Sequence, residues 1–274
     1  MTTNQTIYQV DAFTNSAFKG NPAGVMFIDS SFTEENMQLL ATEMNLSETA
    51  FITKKGDDFS IRYFTPTTEI PLCGHATLAS AHIIWESGLR KKEESITFQA
   101  LNDTLTIENN EGWITMSFPK YKIHTTAIPN NFESIIGFTP LEVYAADYGW
   151  KIAIASTEED IAKAFPNFEE MTKHELGLLM ITSKSDRNEV DFVVRCFAPQ
   201  SGINEDPVTG SAQCGLVPVW NLITKKTVFS CEQISERTGE LKVALVDNRV
   251  LISGQAITIF KAELHNYPSI TQLL

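Results

Sequence analysis

Two stretches of the chain alternate apolar and polar residues around a polar turn. Leu105-Thr-Ile-Glu and Trp113-Ile-Thr-Met-Ser-Phe118 flank Asn109-Asn-Glu-Gly112, while Leu241-Lys-Val-Ala-Leu-Val and Val250-Leu-Ile-Ser flank Asp247-Asn-Arg. Each predicts a β-hairpin, because side chains two apart share a strand face. Two other stretches are apolar at helical length, Gly74-His-Ala-Thr-Leu-Ala-Ser-Ala-His-Ile-Ile-Trp85 and Gly210-Ser-Ala-Gln-Cys-Gly-Leu-Val-Pro-Val-Trp220. Both predict helices buried against a sheet, with Ala76, Ala79, Ser80 and Ala81 small enough for close approach. Thr33–Met44 reads as a third helix. Thr33 is its N-cap, acids fill its first turn, and Met37, Leu40 and Met44 fall on one face. A strand-like Thr49-Ala-Phe-Ile-Thr53 follows.

The order of these parts repeats. Ile61-Arg-Tyr-Phe-Thr-Pro66 parallels Val194-Arg-Cys-Phe-Ala-Pro199, and after each come a polar loop, a helix-opening glycine, an apolar helix ending on tryptophan, and a hairpin. The period is far too long for a solenoid, so the expectation is a duplicated α+β architecture, two domains that each wrap a sheet around one helix. The join is placed in Phe118-Pro-Lys-Tyr-Lys-Ile-His-Thr-Thr-Ala-Ile-Pro129, where two prolines bracket a weakly periodic segment.

Composition narrows the function. The 274 residues are 43% hydrophobic, as in a well-cored globular protein. A formal net charge of −13 argues against nucleic acid, since binding phosphate needs clustered Lys and Arg. The chain opens without a basic or apolar leader and has no 18-residue apolar run, so a soluble, unexported protein with no membrane partner is expected. Cys73, Cys196, Cys214 and Cys231 form no C-x-x-C pair, which suits a reducing cytoplasm.

Four segments concentrate groups capable of chemistry: Gly20-Asn-Pro-Ala-Gly24, Asn45-Leu-Ser-Glu-Thr49, Leu72-Cys-Gly-His-Ala-Thr77 and Glu205-Asp-Pro-Val-Thr-Gly-Ser211. The last two are glycine turns opening helices, whose unpaired N–H groups make carboxylate sites. If the halves face one another, an anionic small molecule could be held from both sides. Glu48 divides between a solvated strand-edge carboxylate and a proton-transferring one, its position between Leu46 and Ala50-Phe-Ile favouring desolvation. On the residues alone His75 reads first as a hydrogen-bonded core histidine, Asp206 as a cap on its own turn, and Ser211 as a capping hydroxyl. Thr-Gly-Ser-Ala-Gln is not a nucleophile elbow. Cys73 at a helix start could serve as a base, but a two-thiol racemase needs a partner, and Cys214 lies about one turn inside its helix. His75, His82, His124, His174 and His265 show no metal-ligand spacing, and no nucleotide-binding glycine motif is present, so neither metal nor organic cofactor is expected.

Taken together, Val10-Asp-Ala-Phe-Thr, Gly20-Asn-Pro-Ala-Gly-Val, Asn45-Leu-Ser-Glu-Thr-Ala-Phe, Cys73-Gly-His-Ala-Thr and Glu205-Asp-Pro-Val-Thr-Gly-Ser-Ala resemble the PhzF (phenazine biosynthesis-like) family, relatives of diaminopimelate epimerase. The resemblance spans nearly the whole chain. It implies two similar halves, each a β-barrel-like sheet on a central helix, with the active site in the cleft between them, and a homodimer. The expected division is residues 1–122, joined by the tail 263–274, and residues 123–262. It also implies that Glu48 is the proton-transferring acid and base, and that His75, Asp206 and Ser211 bind or activate substrate, as a family member does in isomerising a dihydro-hydroxyanthranilate. Asn21, Ser47, Gly74 and Gly210, in the same motifs, are expected to line the substrate. Diaminopimelate epimerase resembles this layout but uses two cysteines before helix-opening glycines; here Thr209 stands at the second place. The expected function is therefore a cofactor-independent isomerase of a small carboxylate. The alternatives are a cysteine-assisted amino-acid epimerase and a catalytically silent carboxylate-binding protein. The resemblance does not identify the substrate.

Overall fold

The segment Gly74–Glu86 has no polar face to turn outward: every residue from His75 to Trp85 except His82 is buried. A helix of that kind is stable only when wrapped on all sides. In the computed structural model, which describes residues 5–265, the chain does this twice, in two compact units.

The first unit contains β1 (Gln5–Ala12), β2 (Asn21–Phe27), α1 (Glu34–Met44), β3 (Glu48–Lys55), β4 (Asp58–Phe64), β5 (Glu69–Ile70), α2 (Gly74–Glu86), β6 (Ile96–Gln99) and β7 (Thr104–Asn110), and β8 (Trp113–Pro119) leads out of it. The second contains β9 (Ile123–Thr126), α3 (Phe132–Ile136), β10 (Glu142–Ala146), β11 (Lys151–Ile154), α4 (Glu158–Lys163), α5 (Phe168–Lys173), β12 (Leu179–Lys184), β13 (Phe192–Ala198), β14 (Ile203–Asp206), α6 (Gln213–Thr224), β15 (Val228–Gln233), β16 (Gly239–Val246) and β17 (Arg249–Gly254). The last strand, β18 (Ala256–Leu264), belongs to the first unit.

In the first unit β2 runs parallel to β3, β3 antiparallel to β4, and β4 antiparallel to β5 and parallel to β6, which pairs antiparallel with β7. In the second, β11, β12, β13, β14, β15 and β16 repeat the same directions in the same order. The matching arginines repeat as well. Arg62 grips Glu69 through two bonds of 2.7 Å and lies 5.2 Å over the Phe64 ring, and Arg195 grips Glu205 at 2.7 and 2.8 Å and lies 5.1 Å over Phe197. Such two-pronged pairs hold geometry as well as charge. Here each ties a long strand to the short strand that precedes the central helix.

Each sheet is covered on both faces, and strand alternation decides which residue goes where. Ile7, Met26, Phe51 and Phe64 pack with Met37, Leu40 and Ala41 of α1, while α2 fills the other side. In the second unit α3, α4 and α5 contribute Phe132, Ile161 and Met171 to the outer cluster. The inner helix is α6, buried continuously from Gln213 to Trp220. Trp220 stacks on Phe192 at 5.3 Å, and its indole N–H reaches Thr182 Oγ1 at 3.2 Å.

The expected elements are present with two differences. The units change at Met116/Ser117 and again at Ser253/Gly254, where 122/123 and 262/263 were expected. The first change falls inside β8, an unbroken strand whose alternation marks no join, and β18 pairs with β1 along its whole length, with one register shift between Gln9 and Val10, which draws it into the first unit. The tail expectation for 266–274 lies outside the described residues. Second, Gly210–Ala212 forms a single tighter turn, and the α-helix begins at Gln213. As that stretch implies, Pro218 sits inside α6, where it removes a hydrogen bond at a cost of about 3 kcal/mol. The carbonyl it strands, that of Cys214, accepts instead from the Tyr121 backbone N–H at 2.9 Å.

Ala79, fully buried in α2, should tolerate no enlargement. Ala79→Leu is expected to lower unfolding free energy by about 1–3 kcal/mol, because overpacking outweighs the added apolar burial; denaturant unfolding measures it.

Candidate functional site

In the first unit the sequence-predicted residues converge. Ser47 precedes β3, Glu48 opens it, Asn21 opens β2, and Cys73 and His75 flank Gly74 at the start of α2. The parallel pairing of Ala23 with Glu48 brings the two strand starts together. His75 Nε2 lies 3.2 Å from Glu48 Oε2 and 3.4 Å from Ser47 Oγ, whose hydroxyl donates to Asn21 Oδ1 at 3.4 Å. The Glu48 and His75 side chains are only 13% and 9% exposed.

This network fixes the imidazole. The Ser47 proton is spent on Asn21, so both Ser47 Oγ and the Glu48 carboxylate are acceptors toward His75, and Nε2 must carry the proton between them. The helix start is anchored from beneath. Thr77 Oγ1 donates to the Cys73 carbonyl at 2.6 Å, which leaves the Tyr63 phenol as the donor to Thr77, also at 2.6 Å. A Cβ placed on Gly74 would meet no protein atom, and its backbone is not left-handed. Neither packing nor conformation demands glycine there. What glycine does is leave the first N–H groups of α2 unobstructed.

Glu48, Cys73 and His75 offer donor atoms that all lie within 4.8 Å of one another, a grouping their spacing in sequence does not announce. Cys73 Sγ is 3.4 Å from Nδ1 and 4.0 Å from Nε2 of His75. Such similar distances place the sulfur alongside the ring and off the lone-pair axis of either nitrogen. One ion could not meet Sγ and Nε2 together unless the ring turned, so the geometry as it stands suits proton handling better than metal ligation.

In the second unit Asp206 ends β14, paired with Cys196 of β13, and Gly210 and Ser211 form the turn before α6. Thr209 Oγ1 donates to Asp206 Oδ2 at 2.5 Å. Two residues outside the predicted set belong to this group. The Tyr121 phenol lies near Ser211, and burial, followed by the neighbouring Cys214, raises its pKa well above the usual phenol range. Gln233, fully buried at the end of β15, accepts from Thr209 N at 2.9 Å and donates to the Asp206 carbonyl at 2.6 Å. Neither carried a sequence signal: Tyr121 sits between two lysines in the linking segment, and Gln233 is one polar residue in an alternating strand. Cys214 is buried, and burial pushes its thiol up to about 12. Cys196 and Cys231 are likewise raised by burial.

Among the described residues no helix is long and apolar enough to cross a membrane. The chain is 45% identical over 259 residues to an uncharacterized isomerase of Halalkalibacterium halodurans, a match covering 94% of this chain and 97% of that one. It superposes with a TM-score of 0.90 on the crystal structure of a phenazine biosynthesis protein of the PhzF family from Enterococcus faecalis, 36% identical, covering 96% of this chain and all of the other. A protein of Pseudomonas aeruginosa described as a predicted epimerase shares the fold, with a TM-score of 0.74 at 19% identity, over 97% of this chain and 100% of its own. Two units, each a sheet wrapped on a central helix, are thus an epimerase-like fold. The profile of the phenazine biosynthesis-like proteins matches residues 10–262, and the chain belongs to that family, PhzC-PhzF.

Proposed function

We propose that the protein is an isomerase that moves a proton on a small carboxylate-bearing substrate by general acid/base catalysis, with Glu48 as the group that takes and returns it. The observation behind this is the Glu48 carboxylate held 3.2 Å from His75 Nε2, largely out of water, at the unobstructed start of α2. The isomerase name carried by the Halalkalibacterium halodurans relative supports the same reading.

In this mechanism Glu48 removes a proton from the carbon beside the substrate carboxylate. The electron pair left behind moves onto the substrate oxygens, where the N–H groups of Gly74 and His75 stabilise it. Glu48 then delivers the proton to a different atom, so no external base is consumed. His75, donating through Nε2, orients Glu48, and Ser47 and Asn21 orient His75. To Asp206, Gly210 and Ser211 of the second unit we assign substrate binding. The chain's own residues supply every proton step, and no cofactor enters.

Incubating candidate cyclic and amino-acid carboxylates with the protein in D₂O, and following deuterium by mass spectrometry, tests the role of Glu48. Glu48→Gln is expected to slow incorporation at least ~100-fold, the low end of what a positioned acid/base contributes. Equal incorporation by both proteins rejects the assignment.

Cys73 beside His75 gives the cysteine-assisted epimerase its one supporting observation. Against it, Thr209 occupies the place in the second unit that matches Cys73, and Cys214 is buried with its thiol raised to about 12. A thiol so raised is neutral at neutral pH and a poor nucleophile. Iodoacetamide at pH 8 should therefore spare Cys214 in the native protein and label it after unfolding, by peptide mass mapping. Cys73→Ala should keep measurable exchange; its complete loss would favour the epimerase.

A further inference from the structure

We infer that Gln233 is a positioning residue that presets the Asp206 carboxylate and the glycine turn after it, an assignment that rests on the substrate-binding role given to Asp206 above. In an ordinary β-turn the carbonyl of the first residue accepts directly from the N–H of the fourth. Across Asp206-Pro207-Val208-Thr209 the Gln233 amide stands in place of that bond. Its Oε1 accepts from Thr209 N at 2.9 Å, and its Nε2 donates to the Asp206 carbonyl at 2.6 Å. The same Nε2 also approaches Thr209 Oγ1 at 3.4 Å. That contact makes the threonine oxygen an acceptor, which leaves its single proton for Asp206 Oδ2 at 2.5 Å. One amide thus determines the spacing of the turn and, through Thr209, the direction in which the carboxylate is held. Ser235 Oγ secures the far side by donating to the Pro207 carbonyl at 2.6 Å.

The duplicated architecture shows that the fold itself does not require this residue. In the first unit β4 meets β6 with Phe59 opposite Phe98 and Ser60 opposite Gln99; in the second β13 meets β15 with Phe192 opposite Cys231 and Val194 opposite Gln233. Counting from the matched arginines Arg62 and Arg195, the counterpart of Gln233 is Ala100. The corresponding turn, Ile70-Pro71-Leu72-Cys73, leads into α2 with Ala100, which has no side-chain amide, at the matching place, and it carries no acid where the second unit has Asp206. A fully buried primary amide is expensive unless every bond is made, and it is found in the half whose turn presents a carboxylate. Because Gln233 reaches Asp206 only through the backbone and Thr209, its role is to position.

The test compares wild type, Gln233→Ala and Gln233→Glu by amide hydrogen exchange over residues 206–211 and by the deuterium-incorporation assay, normalised to folded protein. Gln233→Ala, which installs the first unit's residue, is expected to speed exchange of the Thr209 amide at least ~10-fold and lower turnover about 100-fold, the effect of a misplaced group near reacting atoms. Gln233→Glu keeps the acceptor and regains the donor only when protonated, so its turnover relative to wild type should rise as pH falls. A purely structural residue would not give that profile. Unchanged amide exchange in Gln233→Ala overturns the clamp, and faster exchange with unchanged turnover overturns its positioning role. If wild type incorporates no deuterium from any candidate, the proposed function fails, while amide exchange still decides whether Gln233 holds the turn.

Discussion

A helix buried around its whole circumference has only its ends available to the outside. In α2 the apolar wrapping from Ala76 to Trp85 is continuous apart from His82, so the helix presents polar backbone at its ends, and at the site that is its first N–H groups, beginning at Gly74 and His75. The same holds for α6 and the turn at Gly210. Everything that bears on chemistry follows from this restriction. Strand starts, the proline-bearing loops and the arginine-glutamate pairs all serve to bring side chains to the two helix beginnings, and the Tyr63–Thr77–Cys73 chain fixes the height of one of them.

The two units share connectivity and differ in equipment. Where the first has Cys73, Gly74 and His75, the second has Thr209, Gly210 and Ser211; where the first has Ala100, the second has Gln233. The first unit therefore offers a carboxylate–imidazole couple in a nearly dry setting, and the second offers a hydroxyl-bonded carboxylate and a serine near the Tyr121 phenol. A duplicated scaffold that keeps its frame and changes the residues at helix starts equips its two halves differently without redesigning a core. Pro218 illustrates how such a frame absorbs an unfavourable residue. The hydrogen bond it deletes is replaced from Tyr121, which seats the linking segment on α6.

Most of the fold was legible because it rests on periodicity. The all-round apolar stretches read as buried helices, the alternating stretches as hairpins, and Thr33 caps its helix as its sequence suggests, accepting from Asn36 N at 3.2 Å. Glu48 and His75 were legible as candidates only in company, since each alone has an ordinary structural explanation. What could not be read was long-range pairing. The passage from one unit to the other leaves no trace inside β8, the union of Glu48 with Cys73 and His75 depends on α2 packing against β3, and Gln233 acquires meaning only through a turn far from it in sequence. A buried amide and a buried valine occupy the same position in an alternating pattern until their partners are known.

The pairing of β1 with β18 also has a bearing on how the protein is made. Gln5 to Ala12 must wait beside α2 until Ala256 to Leu264 arrive to complete their sheet, whereas the second unit is one unbroken length of chain. During synthesis the second unit can finish folding while the first still lacks an edge, and the loop to be closed is nearly the entire polypeptide. Such closure adds little to the equilibrium cost, which grows only logarithmically with loop length, but it delays native contacts. The unit that holds the Glu48–His75 pair is therefore the last to be completed, and a ribosome-bound chain acquires the half with Asp206 before the half with Glu48.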